Sequence, residues 1–131
     1  MSYLLPVFAS VLPFFCWAVE RVLPYPHLVE EVAKAVLVIF VIGRESKAWY
    51  QAILAGIFFA FTETVFYSFN LLPAGNYSVV LIRLTLTTLL HILTYLLITG
   101  FYKWDKRLIV VGLLLAILIH YYYNLQLAIL F

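Results

Sequence analysis

An all-α bundle of about five membrane-spanning helices is the fold this sequence predicts, on three observations. Hydrophobic residues make up 66% of the 131 and charged residues 11%, at a mean hydropathy of +1.08. A soluble domain averages about 45–50% apolar and about 25% charged residues. Apolar runs of about 20 residues, enough to cross a bilayer core as a helix, recur along the chain. Clusters of Pro, Gly and charge separate those runs. The length leaves room for several spans joined by short turns and none for a separate soluble domain, so 1–131 reads as one transmembrane domain.

The first expected span covers 3–23. It lacks a basic leader, and Glu20-Arg21-Val22-Leu23-Pro24 is no small-residue cleavage site, so it reads as a retained helix rather than a secretory signal. The turn Pro24-Tyr25-Pro26 leads into a second span over 27–43. After Arg44-Glu45-Ser46-Lys47 a third runs over 48–72, and after Pro73-Ala74-Gly75-Asn76 a fourth runs over 77–102. Lys103-Trp104-Asp105-Lys106-Arg107 then precedes a fifth over 108–131. The loops at 44–47 and 103–107 carry most of the Lys and Arg, and the loop between the third and fourth spans carries none. By the positive-inside rule the N-terminus is then cytoplasmic and the C-terminus extracytoplasmic. A net charge of +2, scattered along the chain, excludes a nucleic-acid surface. The lone Cys16 lies in an apolar run and offers neither a disulfide nor a thiolate metal site, so it reads as packing.

Against this background the ionisable residues inside the spans stand out, because a charge at the bilayer centre costs on the order of 3 kcal/mol and normally faces protein or water. Glu30, Glu31 and Lys34 fall on the second span, Glu63 on the third, Arg83 and His91 on the fourth, and His120 with Asn124 on the fifth. At about 1.5 Å of rise per residue, nearly all of them lie in the outer half of the membrane. Arg83, Thr87 and His91 form one stripe at helical spacing, and His120 with Asn124 are one turn apart. Ala52, Gly56 and Ala60 make a small-residue ridge that admits a close helix neighbour beside Glu63. Each residue has a plainer reading. Glu30 or Glu31 with Lys34 can be an internal ion pair, a single histidine a packing residue, Asn124 interhelical glue, and Arg83 a snorkelling cation. Those readings account poorly for the whole set, which converges from four helices on one polar pocket.

The order of these residues resembles the PrsW family of intramembrane proteases. Glu30-Glu31-Val32-Ala33-Lys34 resembles its EExxK motif, and Phe59-Ala60-Phe61-Thr62-Glu63 its FxxxE motif. His91, preceded by Arg83, corresponds to the third-motif histidine, and His120-Tyr121-Tyr122-Tyr123-Asn124 to HxxxN. The wider superfamily includes the CAAX prenyl endopeptidases and bacteriocin-processing proteins, whose first motifs are typically EExxxR and FxxxH, so Lys34 and Glu63 place this sequence nearer PrsW. Thr64 stands where many PrsW relatives have Asn.

The resemblance implies an endopeptidase of a prokaryotic cell membrane that cuts a membrane-anchored protein or peptide near the extracytoplasmic face. It also implies roles. Glu30 activates water, Glu31 supports it, Glu63 orients a histidine, His91 moves protons, and His120 with Asn124 holds the water and the oxyanion, with Lys34 and Arg83 supporting. No cofactor is expected on that scheme. Zinc held by Glu63, His91 and His120, with Glu30 as base, stays open as the alternative. Two other classes of function also stay open. One is a catalytically silent relative that binds membrane partners through the same residues. The other is a proton or ion pathway, disfavoured because the inner halves of the third and fifth spans carry no ionisable group.

Overall fold

A computed structural model describes residues 3–42, 47–73, 75 and 77–130, with the side chains of 70, 71, 129 and 130 left aside. Five helices follow one another: α1 (Leu4–Glu20), α2 (Pro26–Val41), α3 (Ala48–Leu71), α4 (Tyr77–Trp104) and α5 (Ile109–Leu130). Arg44, Glu45 and Ser46 of the expected basic loop, with Gly43, Ala74, Asn76 and Phe131 at expected span ends and turns, lie outside the described residues.

Local chemistry sets the boundaries. Pro26 is the first helical residue of α2, where its missing N–H costs nothing and its fixed φ suits a helix start. Gly75, between α3 and α4, has φ +77°, a left-handed conformation that glycine adopts without the Cβ clash. The side chain of Asp105 accepts a hydrogen bond from the Arg107 backbone N–H at 2.8 Å, and so caps the short 3-10 turn Lys106–Leu108 that leads into α5.

The fold is an all-α membrane bundle. Three stretches are long and apolar enough to cross a bilayer, namely Ala48–Phe69, Tyr77–Trp104 and Lys106–Ala128. The first two helices are shorter than the spans expected for them. With 17 residues α1 reaches about 26 Å, and with 16 residues α2 reaches about 24 Å, against a hydrocarbon core of about 30 Å. The Pro24-Tyr25-Pro26 turn cuts both back, and the two glutamates and one lysine of α2 lower its hydropathy further. α2 instead lies against α1, α4 and α5, which screen its charges from lipid.

Polarity runs from inside to outside. Phe40 is 82% exposed and Phe15 66%, while Glu31, Lys34 and His91 are at 0%. That inversion suits a protein solvated by lipid, where the charge is kept within the bundle. The core joins α1 to the others through Leu5, Ala9 and Cys16, with Ala35 and Val38 of α2, Ala52, Ala55 and Phe59 of α3, and Tyr95 and Ile98 of α4. α3 packs closely on α4 because of Gly56, where a Cβ would stand 2.6 Å from the Ile92 Cα and 2.8 Å from the His91 carbonyl carbon. The ridge read from the sequence therefore does its work one residue from a site histidine. It brings the backbone of α4 against α3 at the level where Glu63 must reach it.

Candidate active site

Lys34 is the hub. Glu31 and Lys34 are three residues apart on one face of α2, and Lys34 Nζ donates to Glu31 Oε1 at 2.6 Å. It also donates to His91 Nδ1 at 2.6 Å and to Thr94 Oγ1 at 3.1 Å, both from α4. An ammonium has three N–H donors and no acceptor, so all three are used. The rings of Phe59 and Tyr95, with centroids 4.7 and 5.5 Å from Nζ, complete the enclosure. The spacing of the motif offers Lys34 either glutamate. It takes Glu31, which leaves Glu30 without it.

That pairing fixes the proton on His91. Because Lys34 can only donate, Nδ1 must accept, and the proton of the neutral ring sits on Nε2. His91 Nε2 in turn donates to Glu63 Oε2 from α3. The ring lies against Phe59, centroids 4.5 Å apart, which holds its plane.

A second carboxylate–histidine pair stands beside the first. His120 Nδ1 on α5 lies 2.7 Å from Glu31 Oε1, so that Glu31 receives both Lys34 and His120. The two imidazoles are 5.5 Å apart and edge-on, at 80°. α5 is keyed to α4 by a hydrogen bond between Thr87 Oγ1 and Tyr123 OH at 2.7 Å, one turn from each histidine. Glu63, His91, Lys34, Glu31 and His120 thus form one continuous chain of hydrogen bonds from four helices.

Glu30 stands apart from this chain. Its Oε2 is 3.9 Å from His91 Nε2, too far for a hydrogen bond, and is buried with no hydrogen-bond partner among the described residues. Glu30 and Glu63 line a cavity of about 130 Å³, walled by Pro13, Trp17 and Glu20 of α1 and by Phe66 and Tyr67 of α3. A carboxylate with an unpartnered oxygen at the wall of a cavity can hold and deprotonate a water. Glu31 Oε2 is also buried without a partner among the described residues, but Glu31 is not among the lining residues of this cavity, and Glu63 is paired with His91.

Arg83 and Asn124 are placed differently. They line a neighbouring cavity of about 360 Å³ with Pro26, Tyr67, Leu127 and Ala128. The Arg83 guanidinium lies over the Tyr67 ring at 3.9 Å, and Tyr67 borders both cavities. Asn124 is one turn beyond His120 and half-buried, while His120 is turned inwards to Glu31. Sequence reasoning missed Thr94, although its spacing from Thr87 and His91 on α4 was a usable signal. It also missed Trp17, Glu20 and Tyr67, for which the sequence carried none.

The donor set invites a test as a metal site. The ligand atoms that gather within 4.8 Å of one another belong to Glu30, Glu63 and His91, rather than to the set with His120. Two carboxylates and an imidazole suit a dication in count and charge. The hydrogen bonds do not suit it. A metal on His91 Nε2 needs the ring proton on Nδ1, where a ligating histidine usually donates to a carboxylate, carbonyl or water. Here Nδ1 faces the Lys34 ammonium at 2.6 Å, so N–H would meet N–H. The residues present fit a metal by distance and not by proton placement.

Comparison with known proteins bears on the same residues. The model of the PrsW family intramembrane metalloprotease matches residues 22–131, which include all four motifs and exclude α1. No curated protein and no solved structure matches the chain. The chain belongs to the PrsW family of intramembrane proteases.

Proposed function

We propose that this member of the PrsW family is an endopeptidase that uses a glutamate-activated water to cut a membrane-anchored protein near the extracytoplasmic face. The observation that carries the reading is Glu30, which has a buried oxygen without a hydrogen-bond partner among the described residues and lines a cavity beside the Glu63–His91 pair. In the first step Glu30 takes a proton from water as the oxygen adds to the carbonyl carbon of the scissile bond. His120, with its Nδ1 proton committed to Glu31, offers Nε2 as an acceptor that orients this water. At rest Glu63 holds the His91 Nε2–H in place, and as negative charge develops on the carbonyl oxygen this N–H, a donor strengthened by Lys34 on the opposite nitrogen, exchanges Glu63 for that oxygen. The C–N bond then breaks as the proton carried by Glu30 passes directly to the leaving amine, giving a carboxylic acid and an amine. Arg83 and Asn124 in the neighbouring cavity are assigned to holding the substrate. No step runs through a metal, although the family description includes one, because His91 keeps its proton on the nitrogen a metal would need.

For the topology we propose five crossings, with the N-terminus cytoplasmic and α1 and α2 as short spans shielded by the others. Cleavage of a panel of purified single-span proteins, reconstituted in liposomes with the protease and mapped by mass spectrometry, tests the reading. Cuts within the outer turn of the substrate span are expected. Intact substrates, or cuts confined to the cytoplasmic side, would show a silent relative or the opposite orientation.

A further inference from the structure

Glu20 ends α1 at the wall of the cavity that holds Glu30 and Glu63. Three carboxylates therefore face one space, and no Lys, Arg or His is among its described lining residues. The two arginines that flank it are engaged on aromatic rings, Arg21 over Trp17 and Arg83 over Tyr67, each at 3.9 Å. One oxygen of Glu20 and one of Glu30 are buried without a hydrogen-bond partner among the described residues, and Glu30 is only 6% exposed. Uncompensated carboxylates in an apolar setting are costly, and a cation that arrives with the ligand removes that cost.

The walls fit such a cation. Trp17 and Phe66 stack at 6.0 Å with their planes 9° apart, and Tyr67 stands beside them. Trp17 already carries Arg21 and Phe66, and Tyr67 carries Arg83, so what these rings offer is apolar wall that covers the methylene stem of a long basic side chain. At about 130 Å³ the cavity takes the end of such a side chain. A bare metal ion does not use this geometry, because the gathered ligand atoms are those of Glu30, Glu63 and His91 and leave Glu20 out. Glu20 also precedes the family match at 22–131, so its contribution belongs to this chain's own α1.

We infer that the cavity is the subsite for a Lys or Arg side chain of the substrate next to the scissile bond, and that Glu20 selects it. The inference rests on the proteolytic reading above and adds the substrate class. The stacked Trp17 and Phe66 form one wall, Glu20 pairs with the cationic head at its end of the cavity, and Glu30 remains free for water.

The test uses labelled single-span peptides identical except for Lys, Gln or Glu placed in turn at three positions on either side of the cleaved bond. At one position the Lys peptide should exceed the Gln peptide in kcat/KM by at least about tenfold, the scale of a charge-assisted contact in a partly buried site. Glu20→Gln should reduce that ratio below about threefold, and Glu20→Lys should turn the preference towards the Glu peptide. Fluorescence anisotropy of the same peptides measures binding without cleavage. If nothing is cut but Lys peptides bind about tenfold tighter in a Glu20-dependent way, the proteolytic reading fails and the cation subsite stands. Cleavage or binding without a Lys preference, or a preference that survives Glu20→Gln, overturns the subsite alone.

Discussion

Glu30→Gln should abolish cleavage, lowering the single-turnover rate by about a thousandfold or more, while leaving the protein folded. The amide keeps the size of the carboxylate and removes only its ability to take a proton. Few substitutions in this site are so clean, because Glu30 Oε2 has no hydrogen-bond partner among the described residues to lose. Thermal melting in detergent should therefore be unchanged or raised. The same change at Glu31 is not clean, since its Oε1 accepts from both Lys34 and His120. Near-normal proteolysis by Glu30→Gln would place the base elsewhere, with Glu63 the next to examine.

Lys34→Met should be the most damaging substitution to the fold. It strips Glu31 of its ammonium at 0% exposure for both side chains, leaves the Thr94 hydroxyl without its donor, and frees His91 Nδ1. Removing one member of a buried ion pair costs about 3–5 kcal/mol, whereas replacing both by neutral groups is close to neutral. The double variant Lys34→Met with Glu31→Gln should therefore regain most of the melting temperature. It should not regain activity, because nothing then fixes the proton of His91 on Nε2. A Lys34→Met protein that melts like the wild type would mean that the ammonium is not the hub described here.

How much of this was legible in the sequence depends on the kind of contact. Helix order and the four motif helices follow from apolar length and punctuation, and α3 to α5 begin and end within about two residues of the expected spans. The shortness of α1 and α2 was signalled by Glu20-Arg21 and Pro24-Tyr25-Pro26, but continued apolar sequence around them hid it. The Lys34 partner was not legible, since Glu30 and Glu31 both stand at helical contact spacing and only the position of α4 decides between them. His120 and Asn124 share a face by spacing, yet a rise of about 6 Å separates them along the axis, and that carries Asn124 past Glu31 to the cavity beside Arg83. Glu20 and Trp17 were hidden for a different reason. Their part in the site depends on how α1 packs against α2 and α3, and residue spacing within α1 says nothing about that.

The central claim is that Glu30 activates water without a metal, and the metal content of an active preparation tests it most directly. Protein shown to cleave substrate should be assayed for zinc and other transition metals by mass spectrometry, before and after a strong chelator. The account predicts well below one equivalent of metal and a cleavage rate that chelation leaves unchanged. Close to one equivalent, lost together with activity on chelation and restored with it on metal addition, would contradict the proton placement on His91 that Lys34 imposes.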